Sequence, residues 1–150
     1  MSYIVCNIHT RERTKIAFGA PIISEFNDKD HLFLLQTGFK DQYDRIYTDG
    51  DIVQELVTNK ISVIKYGYYQ CLQVIDGVET QIRGLGFYIE PLLKSGLTQQ
   101  ITIYPFDLSI LANSIVVGDV YTCPHIFRAR ERSYLKVKVN GFNDIALEEI

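Results

Sequence analysis

Cys6 and His9 stand in a C-x-x-H spacing, and Cys123 and His125 in a C-x-H spacing. Thiolate sulfur and imidazole nitrogen are donors that zinc prefers, so a fold that joined the first strand to the Cys123 turn would assemble four ligands. The spacings argue against such a centre. Pro124 lies inside the second pair, which is atypical of zinc knuckles, and on an extended strand Cys6 and His9 point to opposite faces. The pattern favours thiols buried as small hydrophobes and imidazoles left exposed, with no metal and no cofactor. Asp41, Asp44, Asp49 and Asp51 form a second donor group, whose carboxylates could hold a divalent cation. They do not follow the spaced pattern of an EF-hand loop and read as a solvated turn.

Covalent catalysis finds little support. The chain has three His, none beside a G-x-S-x-G nucleophile turn, and His9 is followed directly by Thr10 rather than forming an H-x-T pair. Gly84-Leu85-Gly86 is too sparse for a phosphate-binding loop and precedes no helix pattern, so it reads as a strand bend or bulge. The expectation is a protein that is not an enzyme.

Two binding patterns remain. Arg128, Arg130, Arg132, Lys136 and Lys138 share parity, so an extended segment would put them on one side. Such a face could track phosphates or an acidic partner, with Phe127 or Tyr134 available for stacking; Glu131 interrupts it. Arg11, Arg13 and Lys15 form a smaller set of the same kind. The other pattern is aromatic. Tyr66, Tyr68 and Tyr69 surround Gly67, and Phe87 and Tyr88 follow, a group suited to a protein interface because Tyr offers large contact area at low entropic cost.

The elements that must position these residues are mostly strands. Residues 3–9, 15–26, 31–37, 61–74, 79–90, 100–104, 115–121 and 134–140 are β-prone, with Pro21 forcing an edge or bulge in the second. Gly67 bends residues 61–74 into a strand pair, Gly84 and Gly86 break residues 79–90, and Asp76-Gly77 is a hairpin turn. Leu135, Val137 and Val139 alternate with Lys136, Lys138 and Asn140 along the last strand. Ile52, Val53, Leu56 and Val57 suit a helix, although the segment is short enough to be a strand. Asp107 is placed to cap a short helix carrying Leu108, Ile110, Leu111 and Ala112. Short strands between turn signals favour a small barrel or sandwich and exclude a Rossmann-type fold, which needs longer crossover helices.

Composition agrees. A chain of 150 residues with 47% hydrophobic and 22% charged content is the size and make-up of one globular domain spanning 1–150. A net charge of −3 gives no global pull toward nucleic acid or anionic membrane. Three widely spaced cysteines imply a reducing compartment, no secretory signal is expected at the N-terminus, and no apolar run reaches the roughly 20 residues that cross a bilayer. A soluble, cytoplasmic protein without a membrane partner is expected.

Two runs resemble YopX-like proteins, a family encoded by bacteriophages and prophages. The first is Thr37-Gly38-Phe39-Lys40-Asp41, then Ile46-Tyr47 and Gly50-Asp51-Ile52-Val53; the second is Val117-Gly118-Asp119-Val120-Tyr121-Thr122-Cys123-Pro124-His125-Ile126. The resemblance covers about residues 32–127. It implies a mainly β fold, a small SH3-like β-barrel with one or two short helices and N- and C-terminal β extensions, in which residues 51–57 enter as a strand. It implies a phage or prophage origin, host cytoplasm, self-association and no catalytic residues. The expected role is thus a non-catalytic accessory protein that binds copies of itself or a host protein. Nucleic-acid binding through Arg128–Lys138, or a place in a phage virion or tail, are the alternatives.

Overall fold

The computed structural model describes residues 2–17, 29–92, 103–128 and 135–149. Four strands, β1 (Ser2–Asn7), β2 (Arg13–Ala17), β3 (His31–Lys40) and β4 (Ile46–Thr48), form one sheet in the order β2-β1-β3-β4. A second sheet has the order β8-β7-β6-β5-β9, built from β5 (Asp51–Glu55), β6 (Ile61–Ile75), β7 (Val78–Pro91), β8 (Tyr104–Pro105) and β9 (Ser114–Asp119). A short helix α1 (Pro124–Arg128) follows, and β10 (Leu135–Gly141) pairs with β11 (Asp144–Glu149) in a separate hairpin. The protein is mainly β and its described pairings are antiparallel. Among the described residues they form three separate sheets rather than one closed ring.

The two-residue period of a strand explains where the core lies. Ile52, Val63 and Val117 enter one buried cluster, with Ile61, Leu92, Cys123, Ile126 and Ile145. Their chain neighbours Val53, Ile64 and Val116 enter a second, with Tyr47, Ile89 and Leu111. The centre of the second sheet is therefore buried on both faces. Val137, Val139 and Leu147 of the last hairpin pack on the first cluster, and Phe87 and Phe106 on the second.

Several sequence expectations change. Residues 61–75 form one continuous strand, since Gly67 pairs directly with Gly86 and the register does not shift there. Gly84 and Gly86 likewise leave β7 unbroken. Asp107 makes a turn and no helix: its Oδ1 accepts the Ser109 N–H at 2.8 Å, while the Ile110 and Leu111 N–H groups both reach its carbonyl. The strand expected at 15–26 is described only to Ala17, where it closes β2, and the 100–104 strand is described only near Tyr104. β11 was not expected at all, and it gives Leu135–Gly141 its partner.

Candidate interaction hairpin

β6 and β7 pair without interruption from Ser62↔Pro91 to Ile75↔Val78. The turn between them is Asp76 (φ 50) and Gly77 (φ 77), the left-handed pair of a primed two-residue turn whose twist matches that of the strands. At its inner end the hairpin is the centre of the domain: Val63, Ile64 and Ile89 are each at most 2% exposed. Further out it leaves the core. Tyr68 is 84% exposed, Val74 73% and Val78 64%, and Leu72, Ile75 and Leu85 are also exposed.

Residues directly opposite in an antiparallel pair share a face. One face of the arm carries Tyr66, Tyr68, Gln70, Leu72 and Val74 against Phe87, Leu85, Arg83, Gln81 and Glu79. Tyr66 meets Phe87 edge-on at 5.0 Å, Phe87 lies 6.1 Å from Phe106, and Phe106 stacks on half-exposed Phe39 at 6.1 Å. The other face carries Tyr69 and Tyr88, 5.3 Å apart, with Cys71 buried beyond them. The five aromatic residues picked from the sequence thus sit on one hairpin but on two faces: Tyr66, Tyr68 and Phe87 on one, Tyr69 and Tyr88 on the other. The sequence reading missed the aliphatic half of the surface, Leu72, Val74, Ile75, Val78 and Leu85. Its available signal was the absence of any charge from Tyr66 to Ile75.

Two features fix the junction between root and arm. Gly67 and Gly86 are directly opposed, with φ of 156° and 155°, a backbone region that side chains with a Cβ rarely adopt. On the root side of this pair, Lys65 bridges Glu90 at 2.6 Å, and Asp49 accepts the Tyr66 N–H at 3.2 Å. Burial raises the Asp49 carboxyl above its ordinary range, although the Tyr66 hydrogen bond and Lys65 oppose the shift.

The other candidates are dispersed. His9 lies past the end of β1 and pairs with Asp30 at 2.9 Å, while His125 Nε2 lies 2.7 Å from the Ile145 carbonyl. Cys6 Sγ reaches the Asn7 carbonyl and Cys123 Sγ the Asn143 carbonyl. No three metal-binding side chains cluster among the described residues. On the basic face, Arg128 ends α1 rather than extending a strand, so it does not share a strand side with Lys136 and Lys138; Arg130 and Arg132 lie outside the described residues. Lys136 and Lys138 both lie beside Glu148, at 3.5 and 3.6 Å, so their charge is partly neutralised.

The acidic stretch is internal rather than a solvated turn at Asp41 and Asp51, with Asp49 half-buried. Asp41 is buried and accepts the N–H groups of Tyr43, Arg45 and Val116, which ties the β3–β4 loop to β9. Asp51 accepts the Thr48 N–H and lies directly across the ladder from Asp119, also buried. Desolvation pushes the Asp51 carboxyl up to about 8, against the pull of the Thr48 bond and Arg13. Asp119 receives the Tyr121, Thr122 and Asn143 donors and has Arg13 at 3.8 Å. The described partners of these carboxylates are groups of the fold itself. Asp44 is the exposed member, in the positive-φ conformation of a turn.

No protein-family model matches the chain, and comparisons with curated proteins and with solved structures found no match. No helix among the described residues is long and apolar enough to cross a membrane.

Proposed function

We propose that this chain is a non-catalytic binding protein whose contact element is the outer half of the β6–β7 hairpin, engaging a second copy or a host protein. The observation that carries this reading is the exposure of Tyr68, Leu72, Val74 and Val78 on a strand pair that runs out beyond both core clusters. Apolar side chains presented together mark association surfaces, and Tyr is a favoured anchor there.

A phage accessory origin of the YopX-like kind is part of the proposal. Its support is that the two resembling runs, far apart in sequence, lie side by side: Asp51 pairs with Asp119 and Ile52 with Gly118. Three free, buried cysteines fit a reducing compartment such as a host cytoplasm. Nucleic-acid binding through Lys136 and Lys138 is disfavoured by their sharing of Glu148.

The test is capture from host lysate and self-association, measured for the native chain and for Leu72→Lys. Loss of both kinds of binding at an unchanged melting temperature supports the reading. Undiminished binding by the variant overturns it.

A further inference from the structure

Resting on that reading, we infer that the occupant of the arm is a second copy of the same chain, added edge to edge as an antiparallel β6–β6 pair centred on Cys71. Along β6 the backbone groups of successive residues point to alternate sides. The Leu92 N–H bonds the Ile61 carbonyl, so the odd residues of β6 face β7. The even residues face outward: Gly50 N–H bonds the Ile64 carbonyl and Asp49 takes the Tyr66 N–H. The register continues unshifted to Ile75, so Tyr68, Gln70, Leu72 and Val74 turn both backbone groups away from β7. Among the described residues no strand adjoins this stretch of edge; β5 pairs only as far as Val63.

An open edge of this length is a template for another strand, and folded proteins guard such edges with charges or proline. The outer edge of β7 is guarded, because its outward residues include Glu79 and Arg83. The β6 edge has no guard, since Tyr66–Ile75 contains neither charge nor proline. The unguarded edge is therefore the one built to be paired.

Two copies related by a two-fold axis make an isologous contact, in which residue i meets residue j and j meets i. The free run from Tyr68 to Val74 is centred on Cys71. A two-fold there sets Tyr68 opposite Val74 of the other copy, Gln70 opposite Leu72, and Cys71 opposite itself. Every outward N–H and C=O of the four even residues then finds a partner. The Tyr–Val pairs are of the aromatic and β-branched type that stabilises neighbouring strands. No charge meets its own copy. A one-residue shift of the axis toward the root would set Val74 of the other copy to pair with Tyr66, whose N–H Asp49 already takes.

The register makes two readouts available. Cys71 would face its copy at a non-hydrogen-bonded site, with Cα atoms about 4.5 Å apart, inside the range a disulfide spans. Oxidation by copper–phenanthroline and dioxygen, which takes up the two electrons and two protons of the thiols, should give a covalent dimer that Cys71→Ser abolishes while Cys6→Ser and Cys123→Ser do not. By light scattering and sedimentation, Tyr68→Lys alone and Val74→Glu alone should each raise the dimer dissociation constant about tenfold or more. The double variant Tyr68→Lys/Val74→Glu should regain dimer, because the two new charges face each other only between copies. A chain that is strictly monomeric across micromolar concentrations, yet captures a host protein through the arm, would overturn this inference and leave the binding role standing. Failure of both self-association and capture would remove both. A dimer that neither links through Cys71 nor recovers in the double variant would overturn the register.

Discussion

The inner and outer halves of the β6–β7 hairpin share one ladder and one register, yet they are held by different forces. At the root, Val63 and Ile64 enter two separate cores, so each backbone pair is reinforced by burial on both faces. On the exposed face of the arm, cross-strand contacts take the place of burial, as in the Gln81 to Gln70 amide bond at 2.9 Å. A free two-stranded ribbon is marginal in water, and this one persists as the extension of a buried pair. The root serves folding, while the arm's side chains remain available for contact.

The sharpest way to break this contrast is to substitute an apolar residue at each end. Ile64→Ala should cost about 2–5 kcal/mol, read from urea unfolding, because Ile64 has no exposed surface and leaves a cavity. A loss below 1 kcal/mol would mean that the root is not core. Next comes pH, through Asp51 on the strand beside the root. Its folded-state carboxyl at about 8 lies above the ordinary unfolded value near 3.9, so the folded chain keeps a proton that the unfolded chain gives up. The stability from this group is full below about pH 4 and is lost as pH rises toward 8, by a few kcal/mol in all. Asp51→Asn should flatten the decline of the melting temperature across that window; an unchanged slope would assign it elsewhere. At the junction, Gly86→Ala should cost roughly 1–2 kcal/mol through its positive φ, since an added Cβ meets nothing within 4 Å. The smallest effect is expected in the arm, where Val74→Thr should shift stability by under about 0.5 kcal/mol. A larger loss in the isolated protein would show that the outer half carries fold stability after all.

The strand content was legible because period-two alternation and the Asp76-Gly77 turn are local signals. Leu135, Val137 and Val139 announced a one-sided strand, and Val137 and Val139 do pack on the core. What failed depends on partners distant in the chain. Gly67 reads as a break until Gly86 is seen opposite it, and no window around residue 67 contains residue 86. Asp107 has the chemistry of a helix cap, but too few residues follow it before β9 begins at Ser114, and a turn satisfies the same groups. For the candidate site, aromatic type was visible and exposure was not. Leu72 and Val74 look like core residues in sequence, and only their distance from both clusters shows otherwise. Part of the Asp41 and Asp119 contacts was hidden for the same reason, since Val116 and Asn143 donate to them from distant segments, and Asp51 meets Asp119 only across the ladder.

The pairing of Asp51 with Asp119 also dictates an order of events during synthesis. β6 and β7 adjoin in sequence and can zip within microseconds once both have emerged, because their turn closes only a short loop. β5 must wait for β9, which is made later than the whole hairpin, before its second neighbour arrives. During that interval the uncharged run from Tyr66 to Ile75 is on view while the domain beneath it is incomplete. Nascent chains crowded on one messenger would meet through this stretch first, so the yield of folded protein should depend on how slowly the ribosome releases β9.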